Sequence, residues 1–149
     1  TVNLDGTVDV AVGTAAGTYM VTYTLCEVLN STNCKDATVT VLVEEAELIA
    51  VDDDYTGSPV NGYTGGTVVD GSGVDLNVLS NDTLNGVFVI PSEVVITPIT
   101  TGPLTVNLDG TVDVAVGTAA GTYMVTYRLC ELLNSTNCKD VTVTVLVEE

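Results

Sequence analysis

Residues 1–45 return, without a gap, as residues 105–149. The two stretches differ at three positions only: Thr24/Arg128, Val28/Leu132 and Ala37/Val141. An offset of 104 residues is too long for a solenoid unit and about the size of one domain. It predicts a tandem array in which each repeat carries its own core. On that reading residues 46–149 form one complete repeat, and residues 1–45 are the C-terminal half of a preceding one.

The most regular stretch within the repeat is Gly121 to Glu149. Tyr123, Val125, Tyr127 and Leu129 alternate with Thr122, Met124, Thr126, Arg128 and Cys130. Past a loop, Val141, Val143, Val145 and Val147 alternate with Asp140, Thr142, Thr144 and Leu146. This period of two predicts two half-buried strands. Both cysteines fall on the Thr-rich outer face, so pairing Cys130 with Cys138 sets one register. It puts Tyr127 opposite Val141, Val125 opposite Val143, Tyr123 opposite Val145, and Arg128 opposite Asp140. The same reasoning pairs Cys26 with Cys34. Four cysteines allow three pairings in all, and disulfides imply an oxidising compartment such as the periplasm, the cell surface or the outside.

A second hairpin is predicted at TVNLDGTVDVAV (Thr105 to Val116, and Thr1 to Val12). A three-residue loop, Leu108-Asp109-Gly110, pairs Val106 with Val112 and Leu104 with Val114, with Gly110 in the left-handed position. Between the repeated stretches, Leu48, Ala50 and Asp52 are expected to begin the first strand of the repeat. Thr56 to Gly73 reads as loop with short strands. Val74 to Leu79 alternates and ends in the turn cluster SNDTLNG. Val87–Ile90 and Val94–Ile99 read as short strands broken at Pro91 and Pro98, and helix signals are absent. Seven or eight strands in about 100 residues, with frequent turns, predict an all-β fold. The expectation is tandem immunoglobulin-like β-sandwich repeats of about 104 residues, a lone antiparallel barrel being the alternative. Residues 1–45 alone would expose an apolar sheet face, so other strands, from the same molecule or a neighbouring chain, are expected to cover it.

The formal charge is −17, and the only basic residues are Lys35, Arg128 and Lys139. That balance argues against nucleic acid and anionic membrane surfaces as partners. There is no 18-residue apolar run to span a bilayer. Histidine is absent, and neither a G-x-S-x-G elbow nor a Gly-rich phosphate loop occurs, so the chain does not read as an enzyme. Paired carboxylates on turns are a poor basis for glycoside hydrolysis, which needs two held across a cleft.

The pattern AVDDDYTG, GGTV, VLSNDTLNG and then VNLDGTVDVAVGTAAGTYMVTYRLCELLNSTNCKDVTVTV resembles repeats of giant cell-surface adhesins of gliding bacteria. The LCELLNSTNC hairpin is the most specific part. The DD and NDT elements also resemble cadherin-like and other bacterial immunoglobulin-like repeats. The resemblance implies an exported, surface-anchored filament of stacked sandwiches on the bacterial cell surface, with adjacent repeats or neighbouring chains as partners.

One candidate metal site stands out. Asp52, Asp53 and Asp54 follow Glu47 at the expected junction, and Asn81 and Asp82 would approach from the same end if the loops pack as in similar repeats. Calcium takes six to eight oxygens, and an ion there would stiffen the joint. A solvated acidic linker is the competing reading, since the EF-hand spacing is not met. Asn30, Asn81 and Asn134 fit N-x-[ST], and Asp82-Thr83-Leu84 resembles a short O-glycosylation motif; unmodified polar turns compete with both. The T-x-T pairs Thr38/Thr40 and Thr142/Thr144 suit ordinary strands better than an ice-binding surface. Lys35 and Lys139, at a strand end, are poorly placed for an isopeptide bond. The functional expectation is a structural, adhesive spacer, disulfide-clipped, serving surface adhesion or gliding motility. A glycan- or ligand-binding module, with surface glycans as partners, and an accessory domain of a secreted enzyme are the alternatives.

Overall fold

Twelve strands account for nearly all the regular structure of the computed structural model, which describes residues 1–149. The one helical element is a 3₁₀ turn at Pro91–Glu93. The chain divides into two units, Thr1–Glu45 and Ala46–Glu149.

The first unit contains β1 (Gly17–Glu27) and β2 (Asn30–Val43), an antiparallel hairpin with Tyr23 opposite Ala37 and Cys26 opposite Cys34. No third strand flanks it. Its inner face is open: Tyr19, Val21, Tyr23 and Leu25 are all exposed.

The second unit holds the remaining ten strands in three sheets, a sandwich-like all-β arrangement. β3 is Leu48–Ile49, β4 Asp53–Asn61, β5 Gly66–Thr67, β6 Thr83–Leu84, β7 Val87–Phe88 and β8 Val94–Pro98. β9 is Leu104–Val106, β10 Val112–Val114, β11 Gly121–Glu131 and β12 Cys138–Glu148. The largest sheet has the order β4-β12-β11-β8; the others are β5-β10-β9 and β3-β6-β7.

The predicted register holds. Tyr127 faces Val141, Val125 faces Val143, Tyr123 faces Val145 and Arg128 faces Asp140. The inward set Val125, Tyr127, Leu129, Val141, Val143, Val145 and Val147 is buried, and it shares one core with Val68, Val78, Leu104, Val106, Val112 and Val114. The second hairpin also follows the expected geometry. Val106 pairs with Val112 and Leu104 with Val114, and Gly110 takes φ +88° where a Cβ would be strained. Arg128 and Asp140 form a bidentate pair at 2.7 and 3.0 Å, half-exposed and so worth little.

Three expectations need correction. Asp53–Asn61 is a nine-residue strand, not part of a junction followed by loop, and it runs parallel to β12. It tolerates Gly57 and Pro59 because it is an edge strand, where a missing N–H breaks no ladder; its register with β12 shifts between Val145 and Val147. Val74–Leu79 is held by isolated bridges, Val69–Asp75 and Asn77–Thr111, instead of forming a strand. Val87–Ile90 shortens to β7, because Pro91 opens the 3₁₀ turn directly after Ile90. The two-residue turn between β6 and β7 is Asn85-Gly86, both at positive φ (51° and 76°), as such hairpins require.

Candidate functional site

Period-two geometry decides where the acidic residues go. At the start of β4, Asp53 and Tyr55 point inward while Asp54 points out. Asp53 lies opposite Val143 of β12, in the middle of the apolar face. Asp82, in the turn before β6, is completely buried, and Asp53 is 6% exposed. Asn81 donates to Asp53 Oδ1 at 3.1 Å, and the backbone N–H of Val51 donates to Asp82 Oδ1 at 2.8 Å.

The second oxygen of each carboxylate, Asp53 Oδ2 and Asp82 Oδ2, has no hydrogen-bond partner, and neither do the buried hydroxyls of Tyr55 and Tyr127. Burial, and then the charge of Asp82, push the Asp53 carboxyl up to about 7. Burial likewise raises Asp82. Burial and the neighbouring Asp53 and Asp82 charges raise Tyr127, and burial with Asp53 raises Tyr55. In this unit the cationic side chains are Arg128, already paired with Asp140, and the exposed Lys139. The acidic pair therefore has no protein counter-charge, and an uncompensated buried carboxylate is expensive.

The other expected metal residues are used differently. Asp52 is exposed and accepts from the Thr142 N–H at 2.8 Å, tying the chain to β12. Asp54 accepts from the Thr56 N–H at 3.0 Å, and that contact holds its carboxyl below the ordinary range. Glu47 is exposed, and its backbone N–H donates to Asn85 Oδ1 at 3.0 Å. No three acidic, cysteine or histidine side chains converge on one point. Of the six residues expected to hold calcium, the structure gathers Asp53, Asp82 and Asn81. The two tyrosines beside them were missed by sequence reasoning; the in-phase spacing of Asp53 and Tyr55 was the available signal.

Both disulfides form, Cys26–Cys34 and Cys130–Cys138, with Cα–Cα distances of 4.1 Å. They point to an oxidising, extracellular environment. No helix is long and apolar enough to cross a membrane. In the second unit the cysteine loop is docked: Asn137 donates to the Ala46 carbonyl at 2.8 Å and to Glu131 at 3.1 Å. Asn134 is buried and Thr83 half-buried, whereas Asn30 is exposed. Lys35 and Lys139 are exposed.

The first unit carries a groove of about 350 Å³ lined by Val8, Val10, Tyr19, Val21, Val39 and Val41 among others. Its strand residues are the counterparts of the core face of β11 and β12. No protein-family model matches the chain, and a search of characterised proteins returns no match.

Proposed function

We propose that this chain is a segment of a tandem array of immunoglobulin-like β-sandwiches, a spacer in an exported bacterial surface fibre that serves adhesion or gliding. The observation that carries this reading is one apolar face in two states. Tyr127 is fully buried and its counterpart Tyr23 is 39% exposed, although the two hairpins are nearly the same sequence. A sandwich half with the composition of residues 46–104 is what covers that face in the second unit, so a repeated order of halves accounts for both.

Two features support the finer reading. Tyr123 donates its hydroxyl to the Ala119 carbonyl at 2.9 Å, and Tyr19 does the same to Ala15 at 2.8 Å. A tyrosine near the start of a long strand, bonded back to the backbone upstream, is the tyrosine corner of immunoglobulin-like sandwiches. Entry and exit of the second unit also suit a string of domains. Ala46 is bonded to Asn137, just before β12, while Glu148 closes β12 at its other end. Eleven strand residues separate these ends by about 33 Å.

Small-angle scattering on chains of one, two and three complete repeats tests the array. The maximum dimension should grow by at least about 33 Å per repeat; a dimension that stops growing would exclude a spacer. Antibody labelling of intact cells should find the repeats outside. Saturable binding on a glycan array, lost on changing Tyr63 or Phe88, would favour a binding module instead.

A further inference from the structure

β4 and β11 flank β12, so Asp53, Val143, Val141 and Tyr127 stand on one inner face. Into this apolar surface the fold brings two carboxylates, 6% and 0% exposed. Each is anchored by one oxygen, to Asn81 or to the Val51 N–H. Each leaves the other oxygen without a well-aligned donor, although the Tyr55 hydroxyl lies near Asp53. Two tyrosine hydroxyls facing the pair are also unpartnered, that of Tyr127 on a residue with no exposed surface. Asp82 Oδ2 and the Tyr127 hydroxyl are buried with no partner, and Asp53 has the Tyr55 hydroxyl as a neighbouring donor that makes no well-aligned bond; such a cluster is far from ordinary.

We propose that Asp53 and Asp82 hold a calcium ion inside the complete repeat. A cation supplies the two charges that the chain does not. The donors are all oxygen, which selects a hard ion over a transition metal. A proton shared between the two carboxyls is the competing way to neutralise them, and calcium titration separates the two. A bridging ion has longer reach, with ligand oxygens at about 2.3–2.6 Å on either side of it. Calcium suits an irregular buried set better than magnesium, which demands octahedral geometry and keeps its waters. The Tyr55 and Tyr127 hydroxyls would complete the site by bonding to the ion's remaining water. The ion lies within one repeat, opposite Val143, and not at the joint between repeats. This inference does not rest on the fibre reading.

Terbium, a luminescent stand-in for calcium, tests it on the full 149-residue chain, because Tyr55 and Tyr127 are placed to sensitise it. Emission excited through tyrosine should saturate near one equivalent. Calcium should displace it and equal magnesium should not. Asp53→Asn and Asp82→Asn should each abolish the saturable phase, while Asp75→Asn, at an exposed bridge position opposite Val69, keeps it. Circular dichroism in chelator confirms that each variant is folded. As a readout independent of the variants, calcium should raise the melting temperature of the unaltered chain. Binding should weaken as the pH falls, because protons compete with the ion for both carboxylates. Terbium emission indifferent to both aspartate substitutions, or a melt unmoved by calcium, overturns the proposal.

Discussion

Replacing Asp53 by Asn in the metal-free chain should stabilise it, against the usual direction for a buried substitution. The carboxyl moves from an ordinary value of 3.8 to about 7 on folding. A raised carboxylate pKa favours the native state fully only below the unfolded value, and that favour is lost as pH rises to the folded value. At pH 8 the ionised Asp53 therefore costs about 4 kcal/mol; at pH 4 the cost falls to about 0.5 kcal/mol. Asparagine keeps the acceptor that Asn81 uses and removes the buried charge. Urea unfolding of wild type and variant in chelator, followed by circular dichroism, reads the difference. The variant should gain about 2–4 kcal/mol at pH 8, near 8 °C or more in Tm, and almost nothing at pH 4. Comparing the two proteins at each pH cancels the relief of general charge repulsion on acidification. A variant less stable than wild type at pH 8, or a gain equal at both pH values, would refute the reasoning.

Three further outcomes follow from the same geometry. Replacing both Cys130 and Cys138 by Ser should cost the second unit about 2.5 kcal/mol, the loop-closure value for a sequence separation of 8; the same change at Cys26 and Cys34 should leave that unfolding midpoint unmoved. Tyr127→Ala should cost about 3–5 kcal/mol by opening the core, while Tyr23→Ala, on an uncovered face, costs about 1 kcal/mol or less in urea melts. Gly62→Ala should destabilise by about 2 kcal/mol or more, because its Cβ would overlap the Thr118 carbonyl oxygen and lie 2.7 Å from Val147 Cγ1; an unchanged midpoint would mean that this crossing can shift.

The hairpin register was legible because three independent demands agreed on it. The apolar face, the cysteine pair and the Arg128–Asp140 pair allow one alignment, and β11 and β12 adopt it. The turn at Asn107 to Thr111 was legible because its contacts are local. Asn107 bonds Thr111 Oγ1 at 2.9 Å and Asp113 at 2.9 Å, and Asn3 repeats the pattern with Thr7 and Asp9 at 2.9 and 2.8 Å. β4 was not legible, because Gly57 and Pro59 carry loop signals and only its edge position excuses them. The acidic run was misplaced for a related reason. Asp52, Asp53 and Asp54 look alike in sequence, yet strand phase buries the middle one and leaves its neighbours outside. That phase depends on the long-range, parallel pairing with β12, which no local pattern announces.

Why does the first unit stay open when residues 46–104 follow it directly? Its hairpin has nearly every side chain that β11 and β12 use to bind that segment. Sequence affinity differs mainly at Val141, which is almost wholly buried and which Ala37 replaces; the lost methyls are worth about 1.6 kcal/mol. Connectivity is the stronger reason. In the complete unit Ala46 sits at the cysteine-loop end of β12, and Glu148 lies at the far end, about 33 Å away. If β1 and β2 took the places of β11 and β12, Glu45 would lie at that far end while remaining bonded to Ala46. A single peptide bond spans 3.8 Å between Cα atoms. The segment after a hairpin therefore cannot cover it within one chain, and the following hairpin can. This asymmetry imposes an order on an otherwise degenerate sequence, cover first and hairpin second, and leaves the second unit to close on itself.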